Sequence, residues 1–258
     1  MVDGMTFLTI ALNTFKETVR DKVLYSFLLF ALGFAIVSAV ISTWSLSQEE
    51  KIIQDFGLVI VTVFSLLISI FIGIGLVYKE EERRTIYSIL SKPISRGSFI
   101  IGKYSGLLLT MLIIIALMAF VMLFLTFIFT GAMNFKLLLA AGMLFFIIAI
   151  IIAFALLFST LTSPVISGIL TVFMFVTGNF AADIKVIGPG IDSGLFSVFV
   201  NLLYYIVPNF ELLNYQLAAV HDLPVEPMRV FTGIIYAVAY SGALILITIL
   251  MFKNRDLK

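Results

Sequence analysis

The chain has 258 residues, 62% of them hydrophobic and only 12% charged, with a formal net charge of +1. An ordinary soluble domain carries about 25% charged residues and needs polar side chains to cover its outside, so this composition excludes a water-soluble globule. There is no cysteine and one histidine, His221, which excludes disulfides, thiol catalysis, thiolate metal sites and any histidine-based metal cluster.

The first segment, Met1 to Lys22, lacks the apolar core and small-residue cleavage site of a signal peptide. Leu8, Leu12, Phe15, Val19 and Val23 recur at three- and four-residue steps, while Thr9, Asn13, Lys16 and Arg20 face the other way. That pattern predicts an amphipathic helix lying in the membrane interface; the alternative is a plain extension of the first span. A spanning helix needs about 20 apolar residues to cross a hydrocarbon core of about 30 Å. Runs of that kind are Val23 to Leu46, Phe56 to Tyr78, and Tyr104 to Thr130. The uncharged stretch from Leu137 to Ala182 is long enough for two more. It is divided at Ser159-Thr160-Leu161-Thr162-Ser163-Pro164, where the proline is placed to open a helix. Phe231 to Phe252 makes the sixth.

Lys and Arg near span ends favour the cytoplasm. With six spans and the start inside, the cytoplasmic segments hold Lys16, Arg20, Lys22, Lys79, Arg83, Arg84, Lys92, Arg96, Lys103, Lys253, Arg255 and Lys258. The outer ones hold Lys51, Lys136, Lys185 and Arg229. Twelve against four places both termini in the cytoplasm. Ser193 to Phe210, of borderline span length, is then an outer interfacial or re-entrant element between Gly188-Pro189-Gly190 and Pro208. Trp44, Tyr78, Tyr204 and Tyr205 suit the headgroup layer.

The segment Lys79 to Lys103, KEEERRTIYSILSKPISRGSFIIGK, joins the second and third spans on the cytoplasmic side. Glu80 and Arg84 stand four apart in the favourable order for a helical pair. Ile86, Ile89 and Leu90 share one face, Pro93 ends the helix, and Arg96 and Gly97 turn the chain. Gly102 and Lys103 anchor the next span at the interface. The pattern fits either a short amphipathic helix fixed between two membrane helices, able to pass on a push from a cytoplasmic partner, or a solvated charged loop.

This segment resembles the cytoplasmic coupling loop of type 2 ABC transporter permeases, the membrane subunits of many bacterial exporters. The matching features are Glu80-Glu81-Glu82, Thr85-Ile86, Leu90-Ser91-Lys92-Pro93, Arg96 and Gly102-Lys103. Arg84 departs from the pattern, where many members have glycine. In outline the resemblance covers the whole chain. It implies a single permease domain over 1–258. The implied fold is all-α: six transmembrane helices, an N-terminal amphipathic interfacial helix, a cytoplasmic coupling helix between spans two and three, and outer helical elements between spans five and six. It also implies a homodimer or heterodimer of permease chains in the bacterial cytoplasmic (inner) membrane, each seated on a separate ABC ATPase subunit that binds ATP and Mg. The residues it assigns to coupling are Glu80, Glu81, Glu82, Thr85, Ile86, Ile89, Leu90, Pro93 and Arg96.

Gly97 to Lys103 imitates the front of a phosphate-binding loop, but Tyr104 stands where a hydroxyl should hold magnesium, and no strand precedes it. The chain is therefore not expected to bind ATP itself, to be an enzyme or to bind nucleic acid. No charge sits at the middle of a span, which counts against an ion-coupled transporter. Asn13, Asn179, Asn201, Asn209 and Asn214 are expected as caps or interhelical hydrogen-bonding residues. Asp183, Asp192, Glu211, Asp222, Glu226 and His221 read as a solvated outer surface. The sequence names no cargo-binding residue. The rival reading is a non-transporting membrane anchor or signal-transmitting partner of a cytoplasmic ATPase, using the same loop.

Overall fold

A computed structural model describes residues 2–42, 49–82, 96–131, 133–181 and 206–253. Every regular element among them is a helix. In chain order these are α1 (Val2–Val19), α2 (Lys22–Ser42), α3 (Glu49–Glu82), α4 (Arg96–Thr130), α5 (Lys136–Leu161), α6 (Pro164–Asn179), a 3-10 turn (Phe210–Leu212), α7 (Gln216–Val220) and α8 (Pro227–Lys253). Four helices, α3, α4, α5 and α8, are long and apolar enough to cross a membrane. The apolar parts described for α2 and α6 are shorter, Lys22–Val37 and Pro164–Asn179.

The bundle is built around α5. Its sequence is apolar on every side, as a helix surrounded by others must be, and Ile148, Ile150, Ile151, Ile152, Ala153, Ala155 and Leu156 are fully buried. It touches α3, α4, α6, α7 and α8. Hydrocarbon surroundings remove the hydrophobic drive between helices, so small residues that allow close approach take over. Gly73 of α3 does this opposite Ala155, whose methyl would lie 3.1 Å from a Cβ at position 73.

The helix ends follow from local chemistry. Gly131, at φ 68°, takes the left-handed conformation that stops α4, and its N–H donates to Phe127 O at 2.9 Å, a glycine C-terminal cap. Pro164 opens α6 as the sequence predicts. Ser163 before it is extended, as a residue preceding proline should be. Ser167 Oγ then reaches back to Ala155 O at 3.4 Å, tying the α5–α6 hairpin together.

After α6 the chain is described again from Ile206, so most of the expected outer element Ser193 to Phe210 lies outside the described residues. Asn209 Oδ1 accepts from the Glu211 N–H at 3.0 Å, and its own N–H donates to Tyr236 Oη of α8 at 2.8 Å. Phe210 is fully buried against α6, where only glycine at position 178 leaves room for its ring. Asn209 caps the 3-10 turn as expected, Asn214 Oδ1 accepts from the Gln216 N–H at 3.1 Å in the turn before α7, and His221, Glu211, Asp222 and Glu226 are exposed.

The opposite ends of α3 and α4 from the 83–95 segment are joined by a polar cluster. Asn134 donates through Nδ2 to Gln54 Oε1 at 3.1 Å and to Ala219 O at 2.7 Å, and accepts from the Lys136 N–H at 3.0 Å. Lys136 Nζ donates to Asp222 O and Leu223 O, both at 3.1 Å, and pairs with the Asp222 carboxylate. Gln216 Nε2 donates to Asp55 Oδ1 at 2.9 Å. These bonds hold the start of α3, the α4–α5 connection and α7 as one cap over that end of the bundle.

Candidate coupling site

Of the residues assigned to coupling, Thr85, Ile86, Ile89, Leu90 and Pro93 lie outside the described residues. Glu80, Glu81 and Glu82 form the last turn of α3, which runs without a break from Glu49. The acidic run therefore ends the second membrane helix rather than opening a separate one. Arg96 is the first residue of α4. Gly97 to Lys103 lies wholly inside α4, so it has a helical backbone and not the loop of a phosphate cradle.

Gly102 and Gly106 stand four apart and so share one face of α4, and α1 packs across that face. A Cβ on Gly106 would fall 2.5 Å from Ala11 O and 2.6 Å from Thr14 Cβ. On Gly102 it would fall 2.7 Å from Ile10 Cγ2. The two glycines make the groove into which Ile10, Ala11 and Thr14 fit, the small-xxx-small contact of membrane helices.

Lys103 completes the contact. It is only 4% exposed; its ammonium lies 3.9 Å from Glu17 Oε2 of α1 and 5.7 Å above the Phe99 ring. Gly102 and Lys103, expected to anchor the span at the interface, both contact α1. From the other side, Phe99 stacks on Phe252 of α8 with centroids 6.1 Å apart, and Gly97 lies against Ile249. The first three turns of α4 are thus braced by α1 and by the end of α8.

α1 consequently has three faces. Lys16, Glu17 and Arg20 belong to the polar one. Leu8 and Leu12 are exposed, Leu8 at 58%, and with Phe15 and Val19 form the apolar stripe seen in the sequence, free to meet lipid. The third face, Ala11, Thr14 and Thr18, is buried on α4. Sequence reasoning missed it because its residues are small and two carry hydroxyls. The detectable signal was the matching Gly102/Gly106 pair.

Thr14 Oγ1 is buried and, among the described residues, takes no hydrogen bond. A buried hydroxyl without a partner costs about 1–3 kcal/mol, and valine has the same shape. Thr14→Val is therefore expected to leave the melting temperature of the detergent-solubilised protein unchanged or to raise it. Thr18→Val, which loses the bond from Thr18 Oγ1 to Thr14 O at 2.8 Å, should lower it slightly. Thermal unfolding of the two variants side by side checks this.

Comparison with curated proteins finds no match. Residues 8–257 match a family described as ABC-2 family transporter protein. That match takes in α1 from Leu8 onward, the paired glycines, segment 83–95 and the other described helices, and the chain belongs to the ABC-2 family of transporter membrane proteins.

Proposed function

We propose that the chain is the six-span permease of an ABC exporter, with both termini in the cytoplasm of a bacterial cell and a separate ATPase subunit seated on segment 83–95. Two such chains, alike or different, would form the translocation path. In this reading ATP and magnesium belong to the ATPase, and the permease supplies no catalytic group.

The observation that carries the reading is the brace around the start of α4. A segment docked on a motor moves α3 and α4 directly, because it joins them. Through Gly102, Gly106 and Phe99 it also moves α1 and α8. A push at one loop therefore reaches four helices without a flexible joint among the described residues. Support for six spans comes from α2, whose 21 residues rise about 32 Å at roughly 1.5 Å per residue. Further support is the alternation of ends: the start of α4 meets the end of α8, and the start of α3 meets the α4–α5 connection. Energy would enter through the ATPase gripping one conformation more tightly than the other, as any ligand-driven switch requires.

The test uses the chain co-purified with its ATPase. Ile86→Asp with Leu90→Asp is expected to abolish both complex formation and stimulation of ATP hydrolysis. Retention of both would refute coupling through this segment. Stimulated hydrolysis without vesicle transport would favour the anchor reading.

A further inference from the structure

The chain just before the 3-10 turn lies deep in the bundle, and three helices gauge its depth. A Cβ on Gly233 of α8 would fall 3.0 Å from Leu212 O and 3.2 Å from Met143 Cε of α5. Gly233 and Met143 each stand about two turns, or about 10 Å, inside the capped ends of their helices. Further in, the Tyr240 hydroxyl donates to Ile206 O. Tyr240 is about 20 Å from Pro227 at roughly 1.5 Å per residue. Its side chain leans toward the start of α8, which puts the Ile206 carbonyl about 15 Å below that start. Measured from the other end, the 16 residues of α6 rise about 24 Å, less than a hydrocarbon core of about 30 Å. The chain meets the last turn of α6 at Gly178, where a Cβ would fall 2.5 Å from the Phe210 ring and 2.9 Å from Pro208 O.

At that depth no water serves the backbone, and irregular chain is tolerated only where protein satisfies it. Val207, Pro208 and Asn209 are not helical, and Val207 and Pro208 are buried. The polar groups on either side of this break are served from α8. Tyr240 supplies the donor for the Ile206 carbonyl, and the Asn209 N–H donates to Tyr236 Oη at 2.8 Å. Pro208 has no N–H to satisfy. The two tyrosines stand four apart on one face of α8, their ring centroids 5.6 Å apart. α8 runs unbroken from Pro227 to Lys253. It therefore carries both this pair and Phe252, which stacks on Phe99 at the start of α4.

We propose that Tyr236 and Tyr240 are positioning residues that hold the 206–209 turn inside the bilayer and make it move with α8. One helix then links the brace at the start of α4 to the chain near the opposite face. In the permease reading, on which the movement alone rests, α8 carries a push at segment 83–95 to the outer part of the translocation path.

The test uses the full chain in phosphatidylcholine nanodiscs, where the absence of cysteine allows spin labels to be placed in pairs. Labelled chain is diluted with unlabelled chain, so that only distances within one chain are read. Ile206, Leu250 and Leu138 are all exposed and accept labels without disturbing the packing. Ile206→Cys/Leu250→Cys reads the turn against the far half of α8, and Leu138→Cys/Leu250→Cys reads α5 against α8. Each pair is expected to give one narrow distance peak. Tyr236→Phe with Tyr240→Phe should abolish the narrow peak of the first pair and leave that of the second. A narrow first pair in this variant overturns the tether. If the double variant loosens both pairs, Tyr240→Phe alone decides by the same criterion. With the ATPase and ATP–vanadate, the Ile206–Leu138 distance should shift by roughly 2–5 Å, the range of helix shifts and one-turn ratchets, while Ile206–Leu250 holds. The converse, or no shift in a complex whose hydrolysis is stimulated, overturns carriage by α8. A complex without any stimulation refutes the permease reading and leaves the tether result standing.

Discussion

Gly106→Leu is expected to detach α1 from the bundle and, under the proposed permease function, to uncouple the ATPase. The position has no space even for a methyl group. A Cβ there meets the Ala11 carbonyl oxygen at 2.5 Å, which is backbone and cannot rotate away, and Thr14 Cβ at 2.6 Å. Two effects oppose each other in the milder Gly106→Ala. Helix propensity favours alanine by about 1 kcal/mol, whereas overpacking a tight contact costs about 1–3 kcal/mol. A clash with backbone puts the cost at the upper end, so even alanine should destabilise. For leucine the propensity gain is similar and the clash far larger, so the helices must separate. Loss of about 3 kcal/mol corresponds to a fall of roughly 6–12 °C in melting temperature for a chain of this size.

Separation can be read without relying on activity. The absence of cysteine gives a clean background for a Glu17→Cys/Lys103→Cys pair bridged by a short bismaleimide. Efficient cross-linking in the Gly106 background and its loss with Gly106→Leu is the expected result. Gly102→Ala should be less severe, because the first obstacle is the Ile10 side chain and the nearest backbone atom, Phe7 O, is 3.4 Å away. If Gly106→Leu keeps both the cross-link and full ATPase stimulation, the α1–α4 contact plays no part in coupling.

Much of this arrangement could be read from the sequence, and the parts that could not share a cause. Long apolar runs are visible because the bilayer imposes a length. Pro164 marks a helix start because its backbone preference is local. The stripe of Leu8, Leu12, Phe15 and Val19 is visible because it repeats. The face of α1 that does the packing is hidden, since Ala11, Thr14 and Thr18 resemble filler until Gly102 and Gly106 are set against them. Nor does anything local to Lys103 reveal that Glu17 and Phe99 are its neighbours. Among the polar residues, Asn209 and Asn214 can be read as caps because they act on neighbours two residues away. Asn134 escaped notice because its partners, Gln54 and Ala219, lie 80 and 85 residues distant. Contacts set by tertiary geometry leave no period in the sequence, and the brace at the start of α4 and the polar cap are both of that kind.

Asn134→Leu is expected to open the polar cap and to be the most damaging single change at that end of the bundle. One side chain serves three partners: Gln54 Oε1, Ala219 O and the Lys136 N–H. Gln54 is only 1% exposed, so water cannot replace the lost donor at Oε1. A buried acceptor left unpaired costs about 1–3 kcal/mol. Gln54 keeps its bond to Glu50 Oε1 at 2.8 Å and so cannot turn to satisfy itself without breaking it. The Lys136 N–H at the start of α5 also loses its acceptor, although solvent can reach it more readily. The net loss is about 2–4 kcal/mol on the same scale. Asn134→Asp separates the parts, because it retains an acceptor for Lys136 while removing both donors and setting a carboxylate against Gln54 Oε1. If the donors matter more, the aspartate variant should be nearly as unstable as the leucine variant, and limited proteolysis between residues 216 and 226 should accelerate in both. If the acceptor dominates, Asn134→Asp should melt like the wild-type chain. Wild-type melting of Asn134→Leu would mean that α7 is held by Lys136 and Gln216 alone, and that the cap has no need of its central amide.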